Sequence, residues 1–282
     1  MKISLGFSTC PNDTYIFDAL VNRKIDTGNL QFEPVLADVE QLNEMALEGR
    51  LDVTKLSYHA WLHVWKDYQV LDAGSALGRG NGPLLVSKRS ITEDSFPSLL
   101  FAVPGKYTTA NMLLQLAYPS ILRRKNILFS KIGEAILSGE VDAGVLIHES
   151  RFTYENEGLL LIRDLGNFWE ESTGEAIPLG GIMVHRRLPS EVRLQINQLL
   201  HASLNHANSN PSGTVSYMKR YAQLIDDEVL QAHLTMFVNE FTGDLGSVGR
   251  QSILRLAEVA WRARMIPTMP EDVFLTDGAT EV

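Results

Sequence analysis

The chain has 282 residues, 45% of them apolar and 21% charged, with a formal net charge of −9. That length suits one large domain or two smaller ones, in the proportions of an ordinary globular protein. The acidic balance excludes nucleic acid and anionic membrane as main partners, since both attract basic surfaces.

KISLGF (2–7) reads as a strand, too short and too polar in its surroundings to be a signal peptide. Pro11, Asn12, Asp13 and Thr14 then give a turn and capping signal before a helix over 15–22. A strand at 30–37 leads to Asp38, which caps a helix over 39–47 stopped by Gly49. Strand 52–57 is followed by a helix with an aromatic stripe over 58–68. Strands at 69–74 and 82–88 flank LGRGNG, expected to be a flexible connection. A second set begins with strand 99–105, closed by Pro104 and Gly105, and continues with a helix over 108–118. Arg123, Arg124 and Lys125 are expected in a solvated turn, and 126–130 in a short strand. Helix 132–137 precedes an apolar strand at 141–147, and 158–166 and 178–188 are strand-like. Beyond Pro189 the spacing is helical over 189–207, 211–221, 226–238 and 247–264, and 270–282 reads as a loose tail.

Strand–helix alternation predicts an α/β fold with largely parallel sheets. The pattern restarts near residue 99, which predicts a two-lobed molecule. The first lobe takes 1–88 and 178–282 with the C-terminal helices, the second takes 89–177, and the ligand cleft lies between them. No segment is long and apolar enough to span a bilayer. The single cysteine, Cys10, forbids an intramolecular disulfide and fits a reducing compartment, so the expected location is cytoplasmic.

Three strand-to-helix junctions carry polar groups: 8–14, 55–58 and 105–111. Helix N-termini receive anions, and adjacent hydroxyls add donors, so Thr108 and Thr109 suit a substrate carboxylate; simple capping is the competing explanation. LGRGNG matches neither a phosphate loop nor a dinucleotide fingerprint. His59 and His63 stand one turn apart, but no third ligand follows at zinc spacing, and an amphipathic helix accounts for them. Cys10 is read as a small buried thiol rather than a nucleophile. His148 directly follows a buried strand, which fixes its place, and histidine exchanges protons near neutral pH. Glu149 and Arg151 are given no chemical role beyond orienting the loop.

GFSTCPNDTYIF, EGRLDVTKLSYHA, ALGRGNGPLLV, VPGKYTTA and GVLIHESRFTY together resemble the 1,4-dihydroxy-6-naphthoate synthase family of the futalosine route to menaquinone, from residue 3 to about 240. The resemblance implies a type II periplasmic binding protein-like fold. It implies conversion of cyclic dehypoxanthine futalosine to 1,4-dihydroxy-6-naphthoate, by a lyase that uses no cofactor and no metal. It puts the acid/base histidine at His148 and the substrate contacts at Lys55, Leu56, Ser57, Thr108 and Thr109. A small-molecule substrate with a carboxylate is the expected partner. A solute-binding protein of the same fold, the sister chorismate dehydratase and a ligand-sensing domain are the alternatives.

Overall fold

The computed structural model describes residues 1–221 and 226–275. In chain order, β1 (Lys2–Phe7), α1 (Pro11–Val21), β2 (Gln31–Leu36), α2 (Val39–Leu47), β3 (Val53–Ser57), α3 (Tyr58–Val64), β4 (Tyr68–Val70) and β5 (Ala76–Gly78) come first. Next are β6 (Leu84–Ser87), β7 (Phe101–Val103), α4 (Thr109–Ala117), β8 (Arg124–Asn126), α5 (Ile132–Ser138), β9 (Ala143–Leu146), α6 (Ser150–Thr153), β10 (Leu160–Asp164) and α7 (Leu165–Thr173). The chain finishes with β11 (Ile177–His185), α8 (Ser190–Ser209), α9 (Pro211–Met218), α10 (Asp227–Phe237), α11 (Glu240–Gly243) and α12 (Gly246–Arg262).

The strands form two mixed sheets, ordered β2-β1-β3-β11-β4 with β5 beside β11, and β10-β6-β9-β7-β8. In the first, β1 pairs parallel with β2 and β3, and β11 runs against β3, β4 and β5. In the second, β7 is parallel to β8 and β9, and β6 runs against β9 and β10. Each sheet therefore has one reversed strand, and each reversed strand is the one that follows a passage between sheets. A strand entered from the cleft must run away from it, whereas β1, β3, β7 and β9 run towards it. Their carboxyl ends and the starts of β6 and β11 consequently meet at one place.

Apolar side chains fill both faces of the first sheet. Leu5, Phe17, Val53, Ile182, Leu200 and Leu234 pack under α1, α8 and α10. Leu56, Trp61, Met183, Ile253 and Leu256 lie on the other face, in a cluster that continues through Leu85, Val103 and Val145 of the second sheet. The outer face of the second sheet buries Val86, Ala102, Ile132 and Leu146.

Several local expectations change. The strand expected at 126–130 lies upstream at Arg124–Asn126, so the basic run is an exposed edge strand, where charge discourages pairing with other chains, rather than a turn. The helix expected over 58–68 stops at Val64, because Tyr68 is needed in β4 beside His185. Residues 273–275 are not loose: Val70 N–H donates to Val273 O at 3.0 Å and Leu275 N–H to Val70 O at 3.1 Å; of the expected tail, 276–282 lie outside the described residues. β6 belongs to the second sheet although it falls before residue 88. We propose, on sheet membership, that the first lobe is 1–78 with 177–275 and the second 84–173.

The 79–82 segment between β5 and β6 is held in place. Gly80 N–H donates to Glu170 Oε1 at 2.7 Å and Arg79 to Gly174 O at 2.8 Å. Arg151 donates to Gly80 O at 2.8 Å and to Gly82 O, and pairs with Asp164 at 3.0 Å. A Cβ at Gly82 would lie 2.2 Å from Gly166 Cα and 2.4 Å from Gly166 N. Here Gly82 permits close approach of two backbones, whereas Gly80, with φ at +67°, supplies the left-handed turn. Gly82→Ala is expected to cost about 1–3 kcal/mol, the range for overpacking, in urea denaturation. A change below about 0.5 kcal/mol would show the two segments to be separable.

Candidate active site

The junctions meet around a cleft lined by Ser8, Asn12, Asp13, Lys55, Leu56, Ser57, Asn81, Thr108, Thr109 and His148, among others. All six residues singled out from the sequence are in it. Its floor is an ion pair. Asp13, in the first turn of α1 where the helix dipole favours a carboxylate, accepts Lys55 Nζ at 2.9 Å. Ser8 donates to Asp13 Oδ2 through N–H at 3.1 Å and Oγ at 2.7 Å, and Asn12 Nδ2 donates to Oδ1 at 3.0 Å. Both charged side chains are more than 90% buried, so losing one partner would cost about 3–5 kcal/mol. Lys55 also donates to Gly74 O at 3.3 Å, and its third hydrogen is left for the cleft.

Ser57 joins β3 to α3 without a loop. Asn43 of α2 holds it, accepting from Ser57 N–H at 3.1 Å and donating to Ser57 Oγ at 3.3 Å. Among the described residues the Ser57 hydroxyl hydrogen has no acceptor. The threonines are engaged differently from expectation. Thr108 caps α4, accepting Asn111 N–H at 3.2 Å and donating to Gly105 O at 2.9 Å. Thr109 donates to Leu179 O at 2.7 Å and accepts His59 N–H at 3.3 Å. Neither hydroxyl has a proton to spare for an anion. The main-chain N–H groups of Thr109 and Ala110 do, having no acceptor among the described residues at the positive end of α4.

His148 stands past the end of β9, half-buried, with φ at +57°. Left-handed backbone is uncommon for a residue other than glycine and collects at functional sites. Its Nδ1 lies 3.4 Å from Cys10 Sγ, and its ring packs on Phe129 at 4.9 Å. Burial lowers the His148 pKa below the ordinary histidine value, Lys55 adds to the fall, and Glu149 and Asp13 oppose it. Burial and then the Asp13 carboxylate push the Cys10 thiol far above its usual range, so it is no thiolate nucleophile.

Three site roles escape the sequence. Asp13 stands there at a polar junction, but as part of a turn and cap rather than as the partner of Lys55. Asn81, in the glycine-rich segment, is 2% exposed, and neither its Oδ1 nor its Nδ2 has a partner among the described residues. Such burial costs about 1–3 kcal/mol. His233 of α10 is buried, donates through Nε2 to Asn12 Oδ1 at 3.1 Å, and stacks on His148 with centroids 6.2 Å apart and planes 13° apart. Burial, then the positive charges of His148 and Lys55, lower its pKa to about 3. Asn12 accepts this bond because its amide nitrogen already faces Asp13, so the chain His233–Asn12–Asp13–Lys55 is polarised in one direction. His59 and His63 touch at 3.4 Å, and His59 Nδ1 donates to Thr108 O at 3.2 Å, tying α3 to α4. No group of three or more His, Cys, Asp or Glu is arranged for a metal among the described residues.

A sequence model of the family described as menaquinone biosynthesis matches residues 3–262. The chain belongs to the menaquinone biosynthesis family. A Thermus thermophilus relative named 1,4-dihydroxy-6-naphthoate synthase is 42% identical over 274 residues, covering 97% of this chain and 99% of the relative. A Streptomyces coelicolor protein of the same name is 36% identical, covering 96% of each. A crystal structure from Archaeoglobus fulgidus has a TM-score of 0.88 and 34% identity, covering 94% of this chain and 98% of that one. The fold extends to the alkanesulfonate-binding protein SsuA of Xanthomonas axonopodis, with a TM-score of 0.72 at 13% identity over 95% of each chain. The family member described here therefore has a periplasmic binding protein-like fold.

The buried histidines make stability depend on pH. Burial, then His63, lowers the His59 pKa from 6.5 to about 4. With His148 and His233 lowered as well, the folded state binds these protons less readily than the unfolded chain. The stability they contribute is whole above 6.5 and drains as pH falls towards 4. Thermal melts between roughly pH 7 and 5 should show a falling Tm. His59→Asn, which keeps a donor for Thr108 O but has no proton to gain, should fall less steeply. A slope equal to that of the unaltered protein would place the acid lability elsewhere.

Proposed function

We propose that this protein converts cyclic dehypoxanthine futalosine to 1,4-dihydroxy-6-naphthoate, as a carbon–carbon lyase that needs neither cofactor nor metal. The observation that carries the reading is that both curated relatives bearing the synthase name align over almost the whole chain. The cleft agrees with it. The aryl carboxylate of the substrate goes to the free N–H groups at the start of α4, beside Thr108 and Thr109. Leu56 lies against the ring, and Ser57 and Lys55 offer hydrogens to its oxygens. His148, kept neutral by burial, accepts a proton as the bond to the sugar remnant breaks. The ring becomes an aromatic hydroquinone, which favours product, and fixed donors stabilise the charge that develops on oxygen. The same reading makes a small carboxylate-bearing molecule the partner and the cytoplasm the location. Among the described residues no helix is long and apolar enough to cross a membrane. A solute-binding role is not favoured, because SsuA proteins of the same fold, such as the alkanesulfonate-binding one of Xanthomonas axonopodis and the aliphatic sulphonate-binding one of Escherichia coli, are only 13% and 11% identical.

Incubation with cyclic dehypoxanthine futalosine should generate naphthoate absorbance, and turnover should persist with chelator present. Loss under chelation that a divalent ion restores would overturn the cofactor-free reading. His148→Asn is the sharper test, because asparagine tolerates the left-handed backbone but cannot take the proton. It should lower kcat by about 10²–10⁴-fold while calorimetric affinity stays within a few-fold. Turnover near the unaltered rate would make His148 structural.

A further inference from the structure

We infer that Asn81 is a substrate-recognition residue that reads a hydroxyl of the ligand, an inference that rests on the function proposed above. Its side-chain amide is the only one with both polar atoms buried and unpartnered among the described residues. It lines the same cleft as His148 and the start of α4. A buried amide with both atoms idle is a site awaiting a partner, since proteins otherwise pair such groups.

The surroundings hold it there. A Cβ on Gly78 would lie 2.7 Å from Asn81 Nδ2, so the missing side chain at 78 leaves the amide its room. Asn239 Nδ2 donates to Leu77 O at 2.9 Å and fixes the end of β5. On the other side Arg151, anchored by Asp164, holds the carbonyls of Gly80 and Gly82. Arg151 is thereby a positioning residue, acting on the ligand through Asn81. The pairing of one donor with one acceptor selects the ligand group. A carboxylate would satisfy Nδ2 and leave Oδ1 facing negative charge, whereas a hydroxyl both accepts from Nδ2 and donates to Oδ1. The carboxylate has its own place at Thr109 and Ala110, which leaves the hydroxyls of the substrate for Asn81. A site built to bond a hydroxyl also rejects analogues lacking it, because its own polar atoms would again go unpaired.

The test uses two variants, Asn81→Leu, of similar size, and Asn81→Ala, which opens the cleft. Both should keep their Tm within a few degrees, because no protein hydrogen bond is lost, and both should lose at least tenfold in kcat/KM. A drop confined to Asn81→Leu would mean simple obstruction and overturn the inference. So would unchanged kcat/KM in both, or a Tm that falls in step with activity. If the unaltered protein does not turn over cyclic dehypoxanthine futalosine, the proposed function fails and the inference fails with it; turnover by the unaltered protein with an indifferent Asn81 removes the inference alone.

Discussion

The Asp13 carboxylate is the group on which the rest of the site depends. It sits where α1 begins, accepts four hydrogen bonds from Ser8, Asn12 and Lys55, and thereby fixes the ends of β1 and β3 against one another. Each of those donors has a second task. Lys55 reaches into the cleft, Asn12 orients His233, and Ser8 Oγ accepts the Cys10 N–H at 3.2 Å next to His148. A carboxylate buried this deeply is tolerable only because every lone pair is used. The polar floor is therefore rigid for the same reason that it is buried, and rigidity is what catalytic placement needs.

Around that floor the two sheets supply complementary chemistry. The first contributes a cation and hydroxyl from β3 and the amide network of α1. The second contributes an anion-receiving helix end and, beyond β9, an imidazole. The proton-accepting role proposed for His148 agrees with this division, since burial lowers its pKa. The Glu149 and Asp13 carboxylates pull the other way, favouring the protonated ring.

Much of this was legible in the chain. A buried run ending at His148 marks a strand that delivers a side chain, and Pro11 with Asp13, or two threonines before a helix, mark N-termini by capping chemistry alone. What stayed hidden depends on contacts far apart in sequence. His233 meets Asn12 across 221 positions, and nothing local to α10 distinguishes it from any core histidine. Thr109 looks like a free donor until Leu179, 70 residues on, is seen to take its proton. The glycines at 78–82 are ambiguous for another reason: glycine density signals either freedom or crowding, and both are present, Gly80 at a left-handed turn and Gly82 against Gly166. The single bridge from Phe274 to Val70 is too short for any periodicity to reveal it.

The contact between Glu40 and Tyr107 carries a consequence for the cleft. Tyr107 N–H donates to both Glu40 oxygens, at 3.0 and 3.2 Å, and so bonds α2 of the first sheet's layer to the segment ahead of α4. Burial raises the Glu40 pKa, which marks a carboxylate short of solvent. Widening the cleft must break this bond and the one from Thr109 to Leu179 in the same movement, since both span the same mouth. An opening of the cleft would therefore have to break two hydrogen bonds at once, which favours the closed arrangement over one with the mouth ajar.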